Sequence, residues 1–285
     1  MERGLKLLAR EDLPPLLREI PDAPKQLYLR GELPSFDKKW LAVVGSRTMS
    51  PYGKQACEYL LSGLSGYPIV IVSGLAFGVD AQAHRSALDA GLSTVCVPGS
   101  GLDWDVIYPR TNLPLAKELF EKGGALLSEE KPDAASMEHM FPKRNRIMVG
   151  LSHATLVIEA RERSGSLITA KLAVDYNREL LVVPGSIFSE GSAGTHQFLR
   201  LGAAAVTSPQ DILQALGITP AAKDAASRDD LSAHELRVVE LVASPISRDE
   251  LIRSLDMPTP EANILLSTME LKGVIVEELG VVRVK

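Results

Sequence analysis

The chain has 285 residues, of which 45% are hydrophobic and 24% are charged, and its net charge at pH 7 is −5. This length suits one large and one small domain, with a core that needs no disulfide or metal ion to hold it. The sequence lacks both an apolar run of the roughly 20 residues that span a bilayer and the apolar region of a signal peptide. We therefore expect a cytoplasmic protein without a membrane anchor.

Cysteine and glycine patterns argue against a metal site and a nucleotide cofactor. Cys57 and Cys96 belong to no C-x-x-C pair, so we expect two reduced, buried thiols. Neither the G-x-G-x-x-G pattern of dinucleotide binding nor the Walker A pattern of ATP binding is present. We expect no cofactor and no bound metal.

Short β-branched runs alternate with helical segments through the first two thirds of the chain. The predicted strands are Trp40–Gly45, Pro68–Ser73, Thr94–Val97, Ala125–Ser128, Ala154–Glu159 and Leu180–Val183. The predicted helices run from Ser50-Pro51 to about Gly63, then over Asp80–Ala90, Pro114–Lys122, Phe141–Ser152 and Ser166–Asn177, the last capped by Ser166. The strands are apolar on both faces, as in sheets covered by helices on both sides. This alternation predicts an α/β fold with a doubly wound, mostly parallel sheet.

The composition along the chain suggests two domains joined by a linker. Residues 1–35 are proline-rich and are expected to form a loop-like leader packed on a sheet domain of residues 36–217. Residues 218–230 are small, polar and proline-bearing, which is typical of a linker. Residues 231–285 then form a small C-terminal domain.

Three helices and a hairpin indicate that this C-terminal domain is winged-helix-like. The predicted elements are the helices Ser232–Ala243, Arg248–Leu255 and Pro260–Lys272, and a hairpin that turns at Leu279-Gly280. The expected recognition helix has one cation, Lys272, against Glu261 and Glu270. Because phosphates would repel this acidic module, a protein contact or a regulatory role is favoured over DNA-groove binding.

Five loops rich in glycine or serine follow predicted strands. They are Gly45–Arg47, Ser73–Ala76, Gly99–Gly101, Ser164–Ser166 and Pro184–Ser186. In a parallel sheet all five lie at the carboxyl edge, where open α/β sheets bind ligands. Glycine allows close approach of the backbone, and helix N-termini offer free N–H groups to anions. A single such loop is more often structural, but five at one edge favour an anion-binding rim.

A cluster of cations opens the predicted helix at Phe141. Lys143, Arg144 and Arg146 surround Asn145, and cations at a helix N-terminus oppose the helix dipole. This placement indicates an anionic ligand or a buried partner rather than a merely solvated helix start. Arginine can hold a phosphate through two hydrogen bonds, and an aromatic ring can stack on a base.

Three further cationic residues are candidates for the same edge of the sheet or lie near it in the sequence. Arg47 ends the first predicted strand and is expected to face the cluster at Phe141. Lys171 is either a phosphate ligand or a side chain that extends along an apolar surface to solvent. Arg161, which has Glu159 and Glu162 as neighbours, is expected in a solvated loop.

These motifs, taken in order over residues 13–203, resemble the DNA-processing protein A (DprA/Smf) family. They include VVGSR (43–47), IVSGLAFGVDAQAH (71–84), GLDWDVIYPRTN (101–112), FPKRNRIMVGLS (141–152), IEARERSGSLITA (158–170) and GTHQFLRLGA (194–203). The resemblance implies an extended Rossmann-like domain that binds single-stranded DNA in a basic pocket. It also implies a homodimer that loads the recombinase RecA onto incoming DNA, coated with single-strand-binding protein, in natural transformation. The pocket residues that it implies are Gly45, Ser46, Arg47, Gly74, Phe141, Lys143, Arg144, Asn145, Arg146, Ser164, Gly165, Ser166 and Lys171.

Two alternatives compete with DNA binding. Related Rossmann-like folds hydrolyse nucleoside phosphates, and Asp80 and His84 lie four residues apart on one predicted helix. However, a helix cap and a satisfied histidine explain this pair better, and no nucleophile–base motif is present, so the sequence favours a binding protein over an enzyme. A scaffold that binds only protein would show no salt-dependent retention on oligo-dT.

Overall fold

The computed structural model describes residues 5–162, 164–219, 232–242, 246–271, 274–278 and 280–284. The chain divides into two compact units, Met1–Thr219 and Pro220–Lys285. Among the described helices, none is long and apolar enough to cross a membrane.

The described part of the first unit forms a nine-stranded sheet in the order β1-β2-β6-β5-β4-β3-β7-β8-β9. Its strands are β1 (Leu5–Ala9), β2 (Gln26–Arg30), β3 (Lys39–Val44), β4 (Ile69–Ser73), β5 (Ser93–Cys96), β6 (Ala125–Ser128), β7 (Ala154–Val157), β8 (Glu179–Val182) and β9 (Ala204–Ala205). Its helices are α1 (Pro15–Glu19), α2 (Pro51–Ser62), α3 (Val79–Asp89), α4 (Leu113–Glu121), α5 (Met140–Leu151), α6 (Ser166–Asp175), α7 (Ala193–Arg200) and α8 (Pro209–Ala215). The strands from β3 to β9 pair in parallel, whereas β1 and β2 pair antiparallel. The predicted doubly wound, mostly parallel sheet is confirmed.

The central strand β3 shows why the sheet is covered on both faces. Trp40 and Val44 belong to the core under α1, α5 and α6. Leu41 and Val43, which point the other way, belong to the core under α2, α3 and α8. Because strand side chains alternate between faces, a run that is apolar throughout must have a helical layer on each side.

The connections reverse direction at β3. The chain proceeds outward from β3 through β4 and β5 to β6, and α5 then carries it back to β7 on the other side of β3. The loops that follow β3 and β7 therefore leave the sheet in opposite directions. Open α/β sheets have a crevice at such a switch point, and most of the residues predicted for the site line a cleft there.

The expectation of a loop-like leader at residues 1–35 was wrong. These residues contain β1, α1 and β2, and β2 pairs with β6 through Tyr28 opposite Ser128. The prolines that suggested a loop lie outside the strands, and Pro15 occupies the first turn of α1, where a missing N–H costs nothing. The boundaries proposed for the domains stay predictions.

Smaller differences concern α6 to α8. Gly165, not Ser166, is the N-cap of α6, and the Ser166 N–H is accepted by the hydroxyl of Ser164. The elements α7, β9 and α8 were not predicted, because their apolar residues are few and β9 has only two residues.

The described part of the second unit has the winged-helix arrangement that was predicted. It contains α9 (Ala233–Leu241), β10 (Ile246–Ser247), α10 (Arg248–Ser254), α11 (Thr259–Leu271), β11 (Ile275–Glu278) and β12 (Val281–Val284), with strand order β10-β12-β11. Arg248 forms ion pairs with Glu270 and Glu277, and these ion pairs neutralise part of the acidic charge of the second unit. Most of the predicted linker, together with Lys272 and Leu279, lies outside the described residues.

We expect Leu27→Ala in β2 to lower the free energy of unfolding by about 2–5 kcal/mol, because a fully buried leucine leaves a cavity. Leu7→Ala in β1 is the matched control: its side chain is 55% exposed, so the change should stay within about 0.5 kcal/mol. Urea unfolding followed by circular dichroism measures both. Equal effects would show that residues 1–35 are not an integral part of the sheet domain.

Candidate functional site

A cleft of about 690 Å³ opens at the carboxyl ends of β3 and β7. Its walls come from the loop after β3, the start of α3, one face of α5 and the start of α6. Nine of the residues predicted from the sequence line it: Gly45, Ser46, Arg47, Phe141, Arg144, Asn145, Ser164, Gly165 and Ser166. The fold thus brings together segments that lie more than one hundred residues apart in the chain.

Arg47 and Phe141 form a stacked pair in this cleft. The guanidinium carbon of Arg47 lies 5.2 Å from the centroid of the Phe141 ring, and the Tyr108 ring lies 5.9 Å from the same ring. Arg47 is exposed, and no ion pair joins it to another residue of the described ranges. The cleft therefore offers an available cation beside two aromatic faces.

Arg144 is bound within the protein rather than free for a ligand. Its side chain is 7% exposed, and its Nη1 donates to the carbonyl oxygen of Gly74 at 2.6 Å and to that of Val97. These two hydrogen bonds connect α5 to the carboxyl ends of β4 and β5. Gly74 is needed for this contact, since a Cβ there would lie 1.7 Å from Nη1 of Arg144.

Asp80 on α3 partners the same guanidinium. Its Oδ2 lies 4.0 Å from Nη2 of Arg144. Burial raises the pKa of Asp80, and this shift is opposed by Arg144 and by the backbone N–H groups of Ala76 and Gly74. Asp80 and Arg144 form a buried polar floor under the cleft. Because their charges are opposite and close together, the two charges largely offset each other. The other charged side chains that line the cleft, within the described residues, are Arg47, Arg161 and Glu138.

Lys143 and Arg146 face away from the cleft, contrary to the expectation that they share its rim with Arg47. Lys143 lies 3.2 Å from Glu129 and 3.1 Å from Glu130. Arg146 Nη2 donates to Glu129 at 2.6 Å, and Nη1 donates to the carbonyl oxygen of Asp22 at 2.6 Å. The cations at the start of α5 are thus balanced by carboxylates of the protein itself, because the helical repeat separates them onto different faces.

Gly74 and Lys171 complete the predicted set. Gly74 lies behind the cleft lining, against Arg144. Lys171 is exposed on α6 and is not among the lining residues, although Ile168 and Thr169 of the same helix are.

Some lining residues were not predicted. Arg161 lies in an exposed loop, as expected, but it also lines the cleft, which was not predicted. Tyr108, Thr48 and Thr169 were also missed. Tyr108 belongs to the motif GLDWDVIYPRTN, which was the only signal for it.

The geometry gives no acid–base pair from Asp80 and His84. His84 is fully buried outside the cleft lining, and its Nδ1 lies 2.8 Å from the hydroxyl of Thr94. Burial lowers the pKa of His84 to about 3, so the ring is neutral at physiological pH. Within the described ranges, no group of three His, Cys, Asp or Glu residues could hold a metal ion.

Comparison with known families identifies both units. Residues 5–217 match the family described as DNA recombination-mediator protein A, and residues 222–280 match the DprA winged helix domain. Protein Smf of Escherichia coli is 43% identical over 206 residues, which are 72% of this chain but 54% of that protein. The DNA processing protein DprA of Streptococcus pneumoniae is 43% identical over 197 residues, covering 69% of this chain and 68% of that protein.

Two solved structures resemble the first unit. The X-ray structure of DNA processing protein A from Streptococcus pneumoniae matches with a TM-score of 0.70 and 39% identity, over 75% of this chain and 74% of that chain. DNA processing protein A from Helicobacter pylori, whose structure concerns its single-stranded DNA binding mode, matches with a TM-score of 0.67 and 32% identity. That match covers 74% of this chain and 95% of the other.

We expect Gly74→Ala to lower the free energy of unfolding by about 1–3 kcal/mol, because the added methyl group must displace the buried guanidinium of Arg144. Gly165→Ala is the control, since a Cβ there meets no atom within 4 Å, and it should change stability by less than about 0.5 kcal/mol. Thermal and urea unfolding measure both. A neutral Gly74→Ala would contradict the tight contact between Gly74 and Arg144.

Proposed function

This chain belongs to the DNA recombination-mediator protein A (DprA/Smf) family, and from that premise we propose that it binds single-stranded DNA in the cleft at the switch point. The observation that carries the proposal is the exposed Arg47, which is stacked on Phe141 and forms no ion pair with a described residue, although it lies close enough to Asp80 to oppose the rise that burial causes in the pKa of that carboxyl. An arginine beside an aromatic face suits a nucleotide, since it can bind the phosphate while the ring stacks on the base.

In this proposal, some of the cleft residues contact phosphate groups and others contact bases. Arg47 and Arg161 supply positive charge, and the turn from Ser164 to Ser166 supplies hydroxyl and N–H groups at the start of α6. Phe141 and Tyr108 are the proposed stacking surfaces.

The remaining predicted residues have supporting or separate roles in this proposal. Gly45 and Ser46 shape the loop after β3, Asn145 binds polar groups of the strand, and Arg144 with Gly74 fixes the floor. Lys143, Arg146 and Lys171 contact no part of the strand inside the cleft, because their side chains lie outside its lining.

The cleft favours a single strand over a duplex. Stacking on Phe141 requires a base whose face is free, and the bases of a duplex are stacked on one another. Binding through phosphate contacts and aromatic stacking is also tolerant of sequence. We therefore propose a general single-strand binder.

We further propose that the protein is a recombination mediator and not an enzyme. In this role it acts in the cytoplasm as a homodimer and loads RecA onto incoming strands coated with single-strand-binding protein, in natural transformation. The support is the family membership, together with an Asp80 held by Arg144 and a His84 buried away from the cleft. These two residues cannot act together on one substrate.

We expect Arg47→Ala to weaken binding to oligo-dT at least about tenfold at physiological salt. It should also make the slope of log K against log[salt] shallower by about 0.7 for one lost phosphate contact. Arg85→Ala, an exposed arginine of α3 outside the cleft lining, makes the same change of charge and should have little effect. Fluorescence anisotropy over a salt series, with single- and double-stranded DNA, measures both.

Equal affinity for single and double strands, or equal losses from Arg47→Ala and Arg85→Ala, would contradict the proposed cleft. Release of free base from nucleoside monophosphates by the wild type would instead support a hydrolase.

We expect the wild type to shorten the lag of RecA filament assembly on DNA coated with single-strand-binding protein, and Arg47→Ala to restore most of that lag. The reason is that a mediator must hold the strand while RecA nucleates. RecA ATPase activity over time measures the lag, with Arg85→Ala as the control. A lag that is unchanged by the wild type would contradict the mediator role but not single-strand binding.

A further inference from the structure

Glu159 is a buried carboxylate at the end of β7, where one wall of the cleft begins. Its side chain is 3% exposed and is not among those that line the cleft. Two residues further on, Arg161 begins the lining segment that ends with α6. This wall is fixed to the sheet, because the Ile158 N–H donates to the Val44 carbonyl oxygen at 3.1 Å.

Ser50 occupies both oxygens of the Glu159 side chain. Its backbone N–H donates to Oε2 at 2.9 Å, and its hydroxyl donates to Oε1. The same hydroxyl accepts the Gly53 N–H at 3.1 Å, because Ser50 is the N-cap of α2. Hydrogen bonds to a carboxylate are stronger than those between neutral groups, and two of them help to offset the cost of burying it. The contact therefore joins the end of β7 to the start of α2, across 109 residues of sequence.

A helix cap alone does not require a carboxylate from so far away. At α8, Asp211 accepts the backbone N–H of Ser208 at 2.9 Å, and at α9, Glu235 accepts that of Ser232 at 2.8 Å. In both cases the carboxylate belongs to the first turn of the capped helix, so the contact holds only the helix itself. The carboxylate that serves α2 comes instead from the opposite wall of the cleft, so it also fixes one wall relative to the other.

The loop between β3 and α2 carries Arg47, and it is held on both sides of that residue. Before Arg47, the Ser46 carbonyl oxygen accepts the Val79 N–H from α3 at 3.1 Å. After it, Ser50 is held by Glu159. Only three residues separate the two anchored serines. The place of the Arg47 backbone therefore depends on both anchors.

We infer that Glu159 is a positioning residue for DNA binding, which sets the place of Arg47 by holding Ser50 against the opposite wall of the cleft. This inference rests on the proposed single-strand binding. Glu159 itself does not contact the strand, and it keeps Arg47 where the guanidinium stacks on Phe141. A carboxylate suits this role, because it offers one oxygen to each of the two donors of Ser50, whereas a glutamine amide has a single acceptor atom. Without the contact, the loop must be ordered each time a strand binds, and this ordering lowers the affinity.

The test is a double-mutant cycle between Glu159→Gln and Arg47→Ala in the full chain, with affinity for oligo-dT measured by fluorescence anisotropy. In the wild-type background, Glu159→Gln should weaken binding about fivefold, as coupled neighbouring residues do. The loss should not exceed that from Arg47→Ala, because the effect passes through Arg47. In the Arg47→Ala background the same change should weaken binding less than about twofold. The slope of log K against log[salt] should become shallower only in the wild-type background.

Asp211→Asn is the matched control. It removes one carboxylate charge from the cap of α8 in the same unit, outside the cleft lining. It should lower the melting temperature, as Glu159→Gln does, but leave the affinity for oligo-dT unchanged. Ser50→Ala is a second variant of the contact, since it removes the hydroxyl and keeps the backbone N–H. It should weaken binding in the same direction as Glu159→Gln, and only where Arg47 is present.

Equal losses from Glu159→Gln with and without Arg47 would overturn the inference, since the residue would then act on the strand directly or on the whole fold. An equal loss of affinity from Asp211→Asn would overturn it too, as would unchanged affinity in both Glu159→Gln and Ser50→Ala. If circular dichroism shows that neither variant of the contact folds, Glu159 serves the fold and the inference is wrong.

Failure of this inference is distinct from failure of the proposed function. If binding of oligo-dT depends on Arg47 but not on Glu159, only the inference fails. If oligo-dT is not bound, or is bound independently of Arg47, the proposed cleft fails and the inference fails with it.

Discussion

The architecture of the site depends on one buried guanidinium. Arg144 reaches from α5 to the carbonyl oxygens at the ends of β4 and β5 and faces Asp80 on α3. Burying a charge is costly unless it is hydrogen-bonded and paired, and here both conditions are met. The contact fixes the rotation of α5 over the sheet, and with it the direction of Phe141 and Asn145. Arg144, one of three cations that the sequence places at the start of α5, therefore supports the site and is not free to contact a ligand.

The parallel core could be predicted because local patterns determine it. The runs from β3 to β8 are apolar on both faces and are separated by helices, so their types and approximate ends are visible in the sequence. The segment from β1 to β2 could not be predicted in this way, because β2 is held in the sheet by pairing with β6, nearly one hundred residues later, and β1 is held by pairing with β2. Prolines flanking a strand look the same in the sequence as prolines within a loop.

The site could be predicted in outline, since glycine and serine loops after parallel strands must meet at one edge. The assignment of individual cations was less successful, for reasons that are physical. Arg146 and Lys143 are matched by Glu129, a partner that only the tertiary fold brings close. Arg161 has acidic neighbours in sequence, yet the loop carries its side chain into the cleft lining. Which charges remain available depends on long-range pairing, and sequence spacing does not encode it.

The antiparallel pairing of β2 with β6 has a consequence for biosynthesis. The residues that pair, Tyr28 and Ser128, emerge from the ribosome far apart in time: about 5–20 s at typical rates of translation. Throughout that interval β2 can pair with β1, but its other edge lacks β6, and contacts between residues so distant in sequence are also slow to form. The second edge of β2 therefore stays unpaired until β6 has been synthesised, and this delay makes early chaperone engagement of the nascent chain advantageous.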